Sequence, residues 1–169
     1  MISVSLNYWE CVTAANVALN RKLASRFKKL KQRTFGKKGR DDWKDDIEGA
    51  MAEMAFCKHF GMYWDGSVNT FKMPDVPNTN IQIRSTDRNL GRLIIREGDP
   101  ANDLYILVVG LIPNYKIIGG LFAHQGKLDE FIDNPNNQSP CWMIPQDKLS
   151  PIENLIPENE RSLACLKTV

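Results

Sequence analysis

The sequence predicts one domain of the α/β or α+β class, two helices followed by a mixed β-sheet, and three observations carry that prediction. Apolar residues first recur at helical spacing, then a second segment dense in alanine reads as another helix. Beyond Gly61 the chain changes to short runs rich in β-branched and aromatic residues. A length of 169 residues with 43% hydrophobic and 25% charged side chains suits a single core, one that buries roughly two thirds of the unfolded surface without disulfides.

From Tyr8 to about Thr34 the residues Trp9, Val12, Ala15, Asn16, Leu19, Leu23, Phe27 and Leu30 advance in steps that keep them on one face. They predict a long amphipathic helix that buries this face and stops at Gly36. The stretch GKKGRDD is read as a turn, with Asp41 or Asp42 capping the next helix. That helix is predicted over about Asp42 to Phe60, ending at Gly61. Gly49 inside it suggests a close neighbour, because glycine costs about 1 kcal/mol there relative to alanine. Glu53 shares a face with Phe56 and Phe60, where a carboxylate needs a partner or a cation.

Strands are expected at MYWDGSV, NIQIRST, RLIIRE, LYILVVGL, YKIIGGLFA and CWMIP. LYILVVGL is apolar enough for a central strand, and Pro113 with Asn114 turns it into YKIIGGLFA as a hairpin. A basic helix and turn over 1–40, a core over 42–152 and an irregular tail over 153–169 complete the organisation.

Composition excludes some functions. Cys11, Cys57, Cys141 and Cys165 form no C-x-x-C pair, and with only His59 and His124 no zinc spacing arises. No leader pattern and no run of about 18 apolar residues occurs. Reduced thiols in the cytoplasm, away from membranes, are expected. The net charge of +2 conceals an asymmetry: no Asp or Glu lies between Cys11 and Arg40. Arg21, Lys22, Arg26, Lys28, Lys29, Lys31, Arg33, Lys37, Lys38 and Arg40 all fall there, followed by the acidic DDWKDDIE. Such a field attracts polyanions and predicts salt-dependent nucleic-acid binding, unless the following aspartates neutralise it.

In NIQIRST, Ile81 and Ile83 would bury while Gln82 and Arg84 project together from the opposite face. Asp75, across the turn PNTN, would stand beside them, and Glu53 would arrive from the second helix. Asp87, Glu97, Asp99 and Asp103 are spare carboxylates, more at home in turns. His124 and Lys72 are further neighbours of lesser weight.

This order of residues resembles the PD-(D/E)xK nuclease superfamily. EMAFCKHFG matches its glutamate-bearing helix, Pro74 and Asp75 are a literal PD, and QIR stands where (Asp/Glu)-x-Lys is usual. The resemblance spans about Asp42 to Ile152, and the ending CWMIPQDKLSPI is similar to small phage and bacterial proteins of that fold. It implies a restriction-endonuclease-like core that hydrolyses DNA phosphodiester bonds with Mg2+ or Mn2+. Glu53, Asp75 and Gln82 would then face the metal, Arg84 the scissile phosphate, and a homodimer would cut both strands. Two departures bear on activity. Gln82 offers a neutral carbonyl where a carboxylate is usual, and the arginine at 84 keeps a positive charge that suits phosphate but cannot act as a base.

Overall fold

A computed structural model describes residues 1–28, 42–68, 73–133 and 140–156. A strand β1 (Ile2–Ser5) precedes helices α1 (Tyr8–Phe27) and α2 (Asp42–Phe60). There follow β2 (Ile81–Thr86), β3 (Leu93–Arg96), β4 (Leu104–Leu111), β5 (Asn114–Phe122), a short α3 (Ala123–Gly126), β6 (Ile132–Asp133) and β7 (Cys141–Ile144). The class is therefore mixed α and β.

Four strands make one sheet in the order β1-β5-β4-β2, antiparallel except for the parallel pair β2 and β4. A smaller antiparallel sheet runs β3-β7-β6. Alternation along β4 divides the core. Leu104, Ile106 and Val108 join Phe56, Ala52 and Ile83 under the helices, while Tyr105, Leu107 and Val109 pack with Leu93, Ile95 and Ile144 of the small sheet. The large sheet is thus a middle layer between α1 with α2 and the small sheet, and β4 is central and buried on both faces, as its sequence predicts.

Helix α2 keeps its expected bounds and ends at Gly61, whose φ of +63° is the left-handed conformation that glycine accepts most readily. Helix α1 departs from expectation. Its inward face is Cys11, Ala14, Ala18 and Lys22, whereas Trp9, Leu19, Leu23 and Phe27 are exposed. Two helices packed closely select small side chains at their contact, and α2 meets α1 with Ala50, Ala52 and Ala55 in the same core. The helix ends at Phe27 with Lys28 as its cap, and the expected helical residues to Thr34, the stop at Gly36 and a cap at Asp41 lie outside the described residues.

Three further expectations change. MYWDGSV contains no strand, and the stretch from Met73 to Asn80 is a series of bends and turns. β1, only four residues long, has too little pattern to be read from sequence. Among the described residues Gly49 has no tight neighbour, since a Cβ there would meet only Ser85 Oγ, 4.0 Å away.

Candidate functional site

Strand β2 is an edge strand, and the polar residues gather around its open side. Its outward-pointing backbone is matched by the turn before it. Asp75 N donates to Ile81 O at 3.1 Å, and Ile83 N donates to Asp75 Oδ2 at 2.7 Å. Asp75 is therefore set against the strand by a pseudo-ladder with no strand partner of its own. Its first physical task is to satisfy an edge N–H that would otherwise be left unpaired.

Glu53 reaches the same place from α2 and is 7% exposed. Its partner comes from α1: Arg21 Nη1 lies 2.8 Å from Oε1 and 2.9 Å from Oε2, and Arg21 Nε donates to Ser67 O. Trp64 Nε1 donates to Oε2 at 3.0 Å. The carboxylate that the α2 pattern marks as costly is thus held by a guanidinium and an indole N–H. Burial would lower the Arg21 guanidinium, but the hydrogen bond and charge of Glu53, with Asp75 and Asp65 behind, hold it above its ordinary value.

Asp75 is compensated less completely. Burial, and then the nearby charge of Glu53, push its carboxyl up to about 6, against the opposing pull of Ile83 N–H, Arg84 and Arg21. The same field, after burial, contributes to raising the Cys57 thiol to about 12. Two carboxylates, Glu53 buried and Asp75 half-buried, therefore act on each other, and the charge of Asp75 is incompletely neutralised.

Gln82 and Arg84 do alternate away from buried Ile81 and Ile83, as their spacing predicts. They lie on the face of the large sheet that bears Tyr105, opposite to the helices. Gln82 Nε2 donates to Asp103 Oδ2 at 3.1 Å. Arg84 Nη2 donates to Asp99 Oδ1 and Oδ2 at 3.2 and 3.1 Å, and its guanidinium lies 4.9 Å from the Tyr105 ring centroid. Arg84 Nε is buried with no hydrogen-bond partner among the described residues. Asp99 also accepts from Arg96 N, and its carbonyl accepts from Lys127 Nζ. The four sequence-predicted residues thus divide around β2: Glu53 and Asp75 in one half, Gln82 and Arg84 in the other, with Asp75 close enough to Arg84 to feel its charge.

Several partners escape the sequence reading. Arg21, assigned with the basic run to nucleic acid, instead faces Glu53. Asp99 and Asp103, read as turn residues, hold Arg84 and Gln82. Trp64 carries no sequence signal beyond its aromatic character. Of the remaining basic run, Lys22 is buried on Asp42 and Asp46, and Arg26 pairs with Asp42 and stacks on Trp43. This is the neutralisation by acidic neighbours that the following DDWKDDIE allows. Lys28 is exposed at the end of α1. Lys29, Lys31, Arg33, Lys37, Lys38, Arg40 and Lys72 lie outside the described residues. His124 sits in α3, its Nδ1 2.9 Å from Ala101 O, stacked on Phe122 and committed to local structure.

Among the described residues no three or more His, Cys, Asp or Glu side chains are grouped to hold a metal ion, so no closed, zinc-like cage exists there. Magnesium asks for less: one or two carboxylates suffice when substrate phosphate and water supply the remaining oxygens. Asp75 and Glu53 are hard oxygen donors of that kind, provided that Arg21 releases Glu53. No described helix is long and apolar enough to cross a membrane. Comparison with family models, curated proteins and solved structures finds no match.

Proposed function

We propose that this chain is a DNA-binding domain with a restriction-endonuclease-like core that hydrolyses phosphodiester bonds with Mg2+ or Mn2+, working in the cytoplasm. The observation that carries the reading is the Asp75 carboxylate pinned to β2 by Ile83 N–H, within reach of the charge of buried Glu53. Two carboxylates that repel each other gain from a shared cation, and hard oxygen ligands select magnesium-like ions. The order of elements supports it too, since a helix bearing Glu53 covers the sheet whose edge strand carries Gln82 and Arg84, with Asp75 pinned alongside.

A bound ion supplies an activated water and neutralises charge on the phosphate. The chain's own residues do the rest. Asp75, oriented by Ile83 N–H, and Glu53 present the oxygens. Gln82, its amide nitrogen fixed by Asp103, adds at most a neutral oxygen. Arg84, on the other face of β2 and paired with Asp99, would offer its guanidinium to the phosphate only on leaving that partner. Lys28, with the basic residues after it in the sequence, strengthens the attraction for the DNA backbone.

One observation favours a second reading. Arg21 already occupies both oxygens of Glu53, the arrangement expected of a nuclease-like domain kept for DNA or protein binding without hydrolysis. Incubating the pure protein with plasmid, single-stranded and branched DNA and either metal separates the two. The first reading expects cleavage that Asp75→Ala abolishes. Salt-dependent binding with no cleavage of any substrate would establish the second.

A further inference from the structure

Helix α1 turns its large apolar side chains outward. Tyr8 and Trp9 are each 72% exposed, Phe27 85%, and Leu19 and Leu23 about 40%. From Trp9 the steps to Val12, Asn16, Leu19 and Leu23 alternate three and four, the spacing of a helix-pairing seam, and Phe27 extends it one turn. This seam lies on the far side of α1 from Cys11, Ala14, Ala18 and Lys22, which face inward.

We propose that this seam is the interface of a two-fold dimer in which α1 packs antiparallel against α1 of a second copy. The area fits. Covering these five side chains removes on the order of 600 Å2 per protomer, about 1,200 Å2 for the pair, which reaches the lower bound of a specific interface. Charge selects the orientation. A parallel pair would bring the Lys28 ends of two helices together, each followed in the sequence by the basic run that reaches Arg40, and like charges would repel. An antiparallel pair instead brings the end of one copy that carries exposed Lys28 toward the Tyr8 and Trp9 rings of the other, where aromatic faces attract cations. Those rings are already fixed edge to face, 5.1 Å apart. Asn16, the polar member of the seam, lies close to the axis, where an amide can both donate to and accept from its mate and so fix register. The dimer does not depend on metal or on hydrolysis.

Light scattering on the full chain over about 1–100 µM tests this. The expected result is a dimer whose dissociation constant rises at least about 30-fold in Leu19→Glu and in Leu23→Glu. Circular dichroism should stay unchanged, because both side chains are exposed. In a Cys165→Ser background, a short bismaleimide should join two copies through Asn16→Cys but not through Phe27→Cys, whose positions lie roughly 30 Å apart along the antiparallel axis. A monomer at 100 µM, whether the seam stays bare or residues 29–41 of the same chain cover it, overturns the proposal. So does a dimer indifferent to Leu19→Glu, or cross-linking through Phe27→Cys.

Discussion

Arg21 Nη1 stands 2.8 Å from Glu53 Oε1 and 2.9 Å from Oε2, joining the first helix to the second across a site whose carboxylate is nearly buried. Breaking a buried pair from one side leaves an uncompensated charge. Arg21→Ala should therefore cost about 2–3 kcal/mol of stability in urea denaturation, less than for a fully buried pair because Arg21 keeps 28% of its side chain exposed. Pairing it with Glu53→Leu should recover part of that loss, a coupling of about 1–2 kcal/mol. Strictly additive losses would show that the pair contributes nothing.

Asp75 sets a pH dependence whose sign is opposite to that of a salt-bridged aspartate. Its carboxyl is raised in the folded state to about 6 from an ordinary 3.8, so the folded state binds the proton more tightly than the unfolded one. Stability from this group is greatest below about 4, declines as pH rises to about 6, and is level above. Asp75→Asn keeps an oxygen for Ile83 N–H and removes the charge. It should raise stability above pH 6 by on the order of 2 kcal/mol and flatten the decline between 4 and 6. Melting temperatures of both proteins at pH 4.5 and 7.5 check this, and an equal difference at the two pH values would refute it.

Gly49 should behave as a plain helical glycine. Among the described residues a methyl group added there would meet only Ser85 Oγ, 4.0 Å away, so Gly49→Ala removes the backbone entropy penalty without a clash. A gain of about 0.5–1 kcal/mol is expected in chemical denaturation. A loss would mean that close packing governs this position after all.

What can be read from the sequence differs by residue for physical reasons. β4 and β5 carry long apolar runs around a turn with Pro113, and both appear where expected, while α2 is bounded by residues suited to its ends. Periodicity misleads on the face of α1 because it marks large apolar residues, whereas a tight helix-helix contact takes small ones such as Ala14 and Ala18. The alternation of Gln82 and Arg84 is visible from strand period alone. Their partners are not. Asp99, Asp103 and Arg21 are 15, 21 and 32 positions from Arg84, Gln82 and Glu53, and pairings at such separations depend on topology.

If the basic residues bind DNA as proposed, replacing Lys28, Lys29 and Lys31 by alanine should weaken binding alike across sequences. It should also reduce the slope of log affinity against log salt by about 2.7 for duplex DNA. Fluorescence anisotropy at several salt concentrations reads both quantities. An unchanged slope would remove these three lysines from the interface.

Asp75 and Glu53, as proposed, offer a divalent cation a place that Arg21 now guards. Calorimetric titration of Mn2+ into wild type, Asp75→Ala and Arg21→Ala probes that place without any substrate. A single site is expected in wild type, lost in Asp75→Ala and tightened roughly tenfold in Arg21→Ala, as follows from removing about 1.4 kcal/mol of competition for Glu53. Binding absent from all three proteins, or unaffected by Asp75→Ala, would rule the cation site out.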